Sequence, residues 1–113
     1  MKPADVVLIR LPQAAGGPLK LRPALVLASL PGPFQSVLLC GISTQLQDLE
    51  PQWDELVEPT DADFQGSGLH RRSAIRLSYL YAATGSEIAG AIGRIERARL
   101  QRLVQRLAAR LGK

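Results

Sequence analysis

Three short apolar runs lie between residues 6 and 42, and proline and glycine break the chain after the first and the second. Val6-Val7-Leu8-Ile9-Arg10-Leu11 is followed by Pro12 and by Ala14-Ala15-Gly16-Gly17-Pro18; residues 23–29 and 36–42 are separated by Leu30-Pro31-Gly32-Pro33-Phe34. Proline fixes φ and lacks an amide donor, so neither a helix nor a central strand can cross these breaks. Runs so short and so rich in β-branched residues suit buried strands. The second and third, joined by a tight turn, are expected to pair antiparallel.

The remainder extends the same pattern. Residues 45–68 read mostly as connection, with one edge strand at Asp54-Glu55-Leu56-Val57-Glu58 whose outward acids would resist edge-to-edge pairing. Residues 73–81 alternate, which sets Ile75, Leu77 and Tyr79 on one side and Arg76 and Ser78 on the other. Tyr79 and Tyr81 could stack on bases, but core packing is the expectation for Tyr79 because alternation places it with the apolar face. Two glycines in Ile88-Ala89-Gly90-Ala91-Ile92-Gly93-Arg94-Ile95 favour a strand over a helix. From Glu96 the spacing changes to three and four, with Leu100, Leu103, Val104, Leu107 and Leu111 in one stripe and Gly112 as the stop. The expected architecture is mainly β with a C-terminal helix: a small, strongly curved SH3-like antiparallel barrel, with an open sandwich as rival. At 113 residues and 46% hydrophobic content, one domain spanning 1–113 is expected. Apolar strands beyond what one helix can cover point to a two-fold homodimer.

Charge narrows the function. The net charge is +4, which favours a polyanionic partner, and aromatics at 4% leave few stacking platforms, so a nucleic-acid site must lean on charge. Seven of the ten acids (Asp48, Glu50, Asp54, Glu55, Glu58, Asp61, Asp63) fall in the middle, and six of the fourteen basic residues lie from Arg97 onward. Arg97, Arg99, Arg102, Arg106 and Arg110 read as a solvated helix face, with an RNA or acidic-partner surface as the alternative. Trp53, among the acids, suits either the barrel edge or a partner peptide. Cys40 is the only cysteine and sits inside an apolar run, so it reads as inert core in a reducing cytosol. Asp5 falls where a signal peptide needs apolar residues, and no run approaches the roughly 18 apolar residues of a membrane span. A soluble, cytoplasmic protein without membrane contact is expected.

The candidate site begins at Arg22, where a Gly-rich loop gives way to an apolar strand in Lys20-Leu21-Arg22-Pro23-Ala24. The third run ends in Ser43-Thr44-Gln45, so two hydroxyls and an amide emerge from a rigid element beside a permanent cation. Such a pair can grip a phosphate. His70, beside Arg71 and Arg72, is the one residue type whose ordinary pKa suits proton transfer near neutrality. Arg76 and Ser78 share a face and complete the substrate-binding candidates.

Asp5-Val6-Val7-Leu8, the Gly16-Gly17 loop, Lys20-x-Arg22-Pro23-Ala24-Leu25-Val26-Leu27 and the Ser43-Thr44-Gln45 strand end, in that order, resemble the MazF/PemK family of toxin endoribonucleases, the mRNA interferases. The resemblance implies the MazF/PemK/CcdB toxin-like barrel, dimeric, cutting single-stranded RNA without metal or other cofactor, and silenced by a cognate antitoxin. It assigns catalysis to Arg22 and to Ser43, where members often carry Thr, with Thr44 and Gln45 continuing the match. In that chemistry the RNA 2′-hydroxyl attacks the adjacent phosphate and leaves a 2′,3′-cyclic phosphate and a 5′-hydroxyl. One departure stands out. Some PemK-like members carry an acid two residues beyond the arginine matching Arg76, and this chain has Ser78 there. That departure keeps a second expectation open, a non-catalytic barrel of the same fold that binds RNA or poisons DNA gyrase.

Overall fold

A computed structural model of the chain describes residues 1–11 and 20–113. The Gly16-Gly17 loop lies outside the described residues. The three N-terminal apolar runs form β1 (Asp5–Leu11), β2 (Lys20–Ser29) and β3 (Val37–Ser43); β4 (Glu55–Val57) and the single-turn α1 (Phe64–Ser67) follow. Then come β5 (Ser73–Ala83), a 3-10 turn at Gly85–Glu87, β6 (Ile88–Arg94) and α2 (Arg97–Leu111). The strands make one sheet in the order β4-β5-β3-β2-β1-β6, and each neighbouring pair is antiparallel. β2 and β3 pair as a hairpin, as their proline-broken connection predicts.

The sheet is not closed by strand pairing, because β4 and β6 remain its two edges. α1 and the turn after it lie against β6 instead. A Cβ at Gly93 would collide with the Gly66 carbonyl oxygen, and one at Gly68, whose φ is +78°, would collide with the Ile92 carbonyl oxygen. Two backbones meet there with no room for a side chain, which is why glycine stands at both positions.

Both faces of the central strands are buried, which explains their continuous apolar runs. Leu25, Leu27, Cys40, Ile42, Ile75 and Leu77 face a core capped by Leu103 and Leu107 of α2, while Ala24, Val26, Val37, Leu39 and Ala83 face a second cluster. Cys40 is fully buried, and burial, aided by the charge of Asp54, pushes its thiol up to about 12, so it stays protonated and inert.

Two expectations need correction. Tyr79 is 56% exposed rather than in the core. Gly41 pairs with Arg76 but Cys40 pairs with Leu80, so Leu77, Ser78 and Tyr79 have no opposite residues on β3. Three extra residues invert the alternation, and Leu80 takes the core side while Tyr79 is turned out. The second correction concerns α2. Val104 (40%) and Leu111 (64%) are exposed, and the buried side of the helix runs through Arg99, Leu103 and Leu107.

Arg97 is exposed as expected, but the other helix arginines are not a solvated face. Arg99 donates from Nε and Nη2 to Asp63 at 2.8 and 2.9 Å, from Nη2 to Asp61 at 2.9 Å, and from Nη1 to Glu55 at 2.8 Å and the Leu56 carbonyl at 3.2 Å. All five guanidinium donors are thus used. Arg102 and Arg106 also bond Glu55, and Arg110 bonds Gln52. The acidic middle and the basic tail neutralise each other, and Glu55 on β4 turns toward α2 rather than guarding the edge. Trp53 is half-buried against the same core, and its carbonyl accepts from Arg106.

Candidate functional site

The β2–β3 register pairs Leu25 with Cys40 and Ala24 with Gly41. Continued by two residues it sets Arg22 opposite Ser43, and directly opposed residues on antiparallel strands present their side chains to the same face. Two clefts open beside this pair, and Arg22, Pro23, Ile42 and Ser43 line both. These four form a ridge. On one side a cleft of about 650 Å³ adds Thr44, Leu69, His70 and Arg71; on the other a cleft of about 340 Å³ adds Gly41, Gln45, Arg76, Ser78 and Tyr79.

Ser43 Oγ accepts a hydrogen bond from the Gln45 amide at 3.0 Å. That turn fixes the hydroxyl at the strand end and leaves its proton free to donate to a ligand. Among the described residues, the ion pairs consume Arg72, Arg76, Arg94, Arg99, Arg102 and Arg106, but not Arg22 or Arg71. Both of these guanidiniums line the larger cleft beside Ser43 and Thr44, so two cations without a carboxylate partner among the described residues stand with the hydroxyls. Arg22 and Arg71 are exposed, as is His70.

The second cleft is built differently. Arg76 donates from Nε to Asp54 Oδ2 at 2.7 Å and from Nη2 to the Asp48 carbonyl at 2.8 Å. Asp54 also accepts from the Glu50 amide at 3.0 Å, from the Ser78 amide at 3.2 Å and from Ser78 Oγ at 2.9 Å, with a side chain only 1% exposed. Burial pushes the Asp54 carboxyl up, but the amides of Glu50 and Ser78, the Ser78 hydroxyl and the Arg76 guanidinium together outweigh it and hold the group below the usual carboxylate range. An acid therefore stands beside Arg76 after all. It comes from the segment before β4 and not from position 78.

Of the residues singled out in the sequence, the ridge and its two clefts bring together Arg22, Ser43, Thr44, Gln45, His70, Arg71, Arg76 and Ser78. Lys20 and Arg72 line neither cleft, and Arg72 is held by Glu58 at 2.8 Å. Asp54 is not among the sequence candidates, and Tyr79 was expected in the core rather than on a cleft wall. Nothing local marks Asp54, which is 22 residues from Arg76 in the chain, and Tyr79 depends on a bulge that alternation cannot show. Among the described residues no three His, Cys, Asp or Glu side chains gather as metal ligands.

The chain is thus a small β protein, an open antiparallel sheet backed by one helix, with Arg22 and Ser43 on a ridge between two clefts. The family profile of the PemK-like, MazF-like toxins of type II toxin–antitoxin systems matches residues 2–111, and the chain belongs to that family. Its fold is similar to that of the Mycobacterium tuberculosis toxin MazF-mt6, at 16% identity and a TM-score of 0.69 over 96% of each chain. It is also similar to an endoribonuclease in complex with its cognate antitoxin from Mycobacterial species, at 14% identity and a TM-score of 0.64, covering 99% of this chain and 95% of that one. At these identities the likeness is one of fold. No curated protein matches the chain in sequence.

Proposed function

We propose that the chain is a toxin that cuts single-stranded RNA at the Arg22–Ser43 ridge by attack of the RNA's own 2′-hydroxyl on the adjacent phosphate. The observation that carries this reading is that a guanidinium with no carboxylate partner among the described residues and a strand-end hydroxyl line the wall shared by two clefts. One cleft can seat the nucleotide on each side of a gripped phosphodiester. Arg22 contacts two non-bridging oxygens and stabilises the charge that builds on the pentacovalent phosphorus; Ser43 donates its proton to the same group. Because the nucleophile comes with the substrate, the protein has only to position, neutralise and move a proton.

His70 lines the first cleft with Arg22 and is the residue we assign to proton transfer. His70→Ala is expected to slow cleavage by about 10²-fold while leaving RNA binding intact; an unchanged rate would move the proton to another group. The non-catalytic alternative drew on Ser78 standing where an acid was expected. Ser78 has its own task, holding Asp54, so that departure does not favour binding without cleavage.

In this reading the protein acts as a cytoplasmic homodimer, and the partner that silences it is an antitoxin whose acidic segment covers the unpaired cations of the ridge; the net charge of +4 supports such a partner. The test is incubation of the purified protein with single-stranded RNA in EDTA. Fragments carrying 2′,3′-cyclic phosphate and 5′-hydroxyl ends are expected. Intact RNA from a folded, antitoxin-free sample, or fragments with 5′-phosphate ends, would overturn the reading.

A further inference from the structure

We propose that the smaller cleft is a nucleotide subsite in which Tyr79 stacks on the base beside the gripped phosphodiester and Arg76, aimed by the buried Asp54, binds the next phosphate. The inference rests on the RNA reading of the ridge and adds to it the groups that hold one neighbouring nucleotide.

Tyr79 carries the first half. A large aromatic ring more than half exposed is unusual cargo for a strand, and here a three-residue bulge puts it on the cleft wall. The ring is also braced. It lies over Gly41, where an added Cβ would meet it at 3.5 Å, and Tyr81 stands edge-on to it with centroids 5.6 Å apart at 84°. A ring held on one side and open on the other is a stacking platform, and every base offers a π-face to it. The Gln45 side-chain carboxamide on the same cleft can bond a base edge.

Arg76 carries the second half. Nε and one Nη2 proton are committed to Asp54 and the Asp48 carbonyl, while Nη1 takes part in neither bond. The guanidinium is thereby fixed in orientation and still able to donate into the cleft it lines with Arg22. Asp54 is a positioning residue. It is out of reach of solvent, and Ser78 clamps it through both backbone and hydroxyl. At about 340 Å³ the cleft is within the size range of small-ligand sites.

The subsite is tested by binding, in a protein that leaves RNA whole. Arg22→Ala is titrated with a short fluorescent single-stranded RNA across a range of salt concentrations. Adding Tyr79→Ala is expected to weaken binding about tenfold, while adding Tyr79→Phe keeps it within about twofold. Adding Arg76→Ala is expected to reduce the slope of log K against log salt by about 0.7, the mark of one lost single-strand phosphate contact. Asp54→Asn should reduce the same slope with Arg76 still present, and Ser78→Ala serves that purpose if Asp54→Asn does not fold. Unchanged affinity in the Tyr79→Ala protein, or an unchanged slope in the Arg76→Ala protein, overturns the subsite even if wild-type protein cleaves RNA. Binding that depends on both residues in a wild-type protein that never cuts would instead remove the cleavage reading and leave the subsite standing.

Discussion

Arg22→Ala is expected to lower the rate of RNA cleavage by about 10²- to 10³-fold, the usual cost of removing one preorganised donor from a developing oxyanion. The loss should fall mainly on kcat, because the charge that Arg22 meets is greatest in the transition state. Arg22→Lys should recover little of it, since an ammonium cannot span two phosphate oxygens as a planar fork does. The melting temperature should hardly move. Arg22 is exposed and takes part in none of the ion pairs among the described residues, so the fold asks little of it. Initial rates on a labelled RNA, set beside thermal unfolding of the same samples, check both halves. A wild-type rate in the alanine variant would show that catalysis lies elsewhere.

Arg99→Ala carries the largest expected effect on stability, a loss of about 3–5 kcal/mol, because it strands carboxylates that are buried against the guanidinium. The Asp63 side chain is almost wholly buried and bonds Arg99 at two positions, and Glu55 shares three arginines of the same helix. Set against the 5–15 kcal/mol typical of a whole domain, that loss is a large share. Arg99→Lys should fall well short of rescue, for one ammonium cannot replace five donors spread over Asp61, Asp63, Glu55 and the Leu56 carbonyl. Urea unfolding measures the difference, and a midpoint equal to that of wild type would contradict the account. The same network sets the response to acid. Hydrogen bonds from Arg99, against the opposing push of burial, hold the Asp63 carboxyl below its usual range, and Asp54 is lowered as well. A carboxyl with a depressed folded-state pKa contributes stability that is present above the unfolded value of about 4 and is lost as pH falls through the folded value. Melting temperature should therefore hold steady from neutrality to about pH 5 and drop below about pH 4. In Arg99→Ala the drop should be shallower, because Asp63 no longer prefers its charged form so strongly.

How far the chain can be read without coordinates depends on the range of the interaction. β1 to β3 were legible because proline and glycine cut the apolar runs cleanly, and the pairing of β2 with β3 follows from their short connection; the register that sets Arg22 opposite Ser43 does not, because a bulge at Leu27 shifts it by one residue. Arg99, Arg102, Arg106 and Arg110 of α2 depart from a solvated face because their partners lie 36 to 58 residues back in the chain, where no local spacing can show them. The same distance problem hid Asp54. Tyr79 was misplaced for another reason, since alternation presumes an unbroken ladder and the bulge opposite Cys40 and Gly41 inverts it. Lys20 and Arg72 were counted as ligands by proximity to better candidates, yet Arg72 is drawn away by Glu58. Local pattern set out the ridge; long-range charge pairing decided which cations remain free to use it.

The central claim is that the ridge grips a phosphodiester whose own 2′-hydroxyl breaks it, and one substitution in the substrate tests this directly. A short RNA is first mapped for its cut linkage with wild-type protein in EDTA, and the nucleotide 5′ to that linkage is then replaced with its 2′-deoxy counterpart. The account predicts that the substituted RNA still binds with nearly the same affinity and stays whole at that linkage. Cleavage there at the original rate would mean that the nucleophile is not the 2′-hydroxyl, and the chemistry assigned to Arg22 and Ser43 would be wrong.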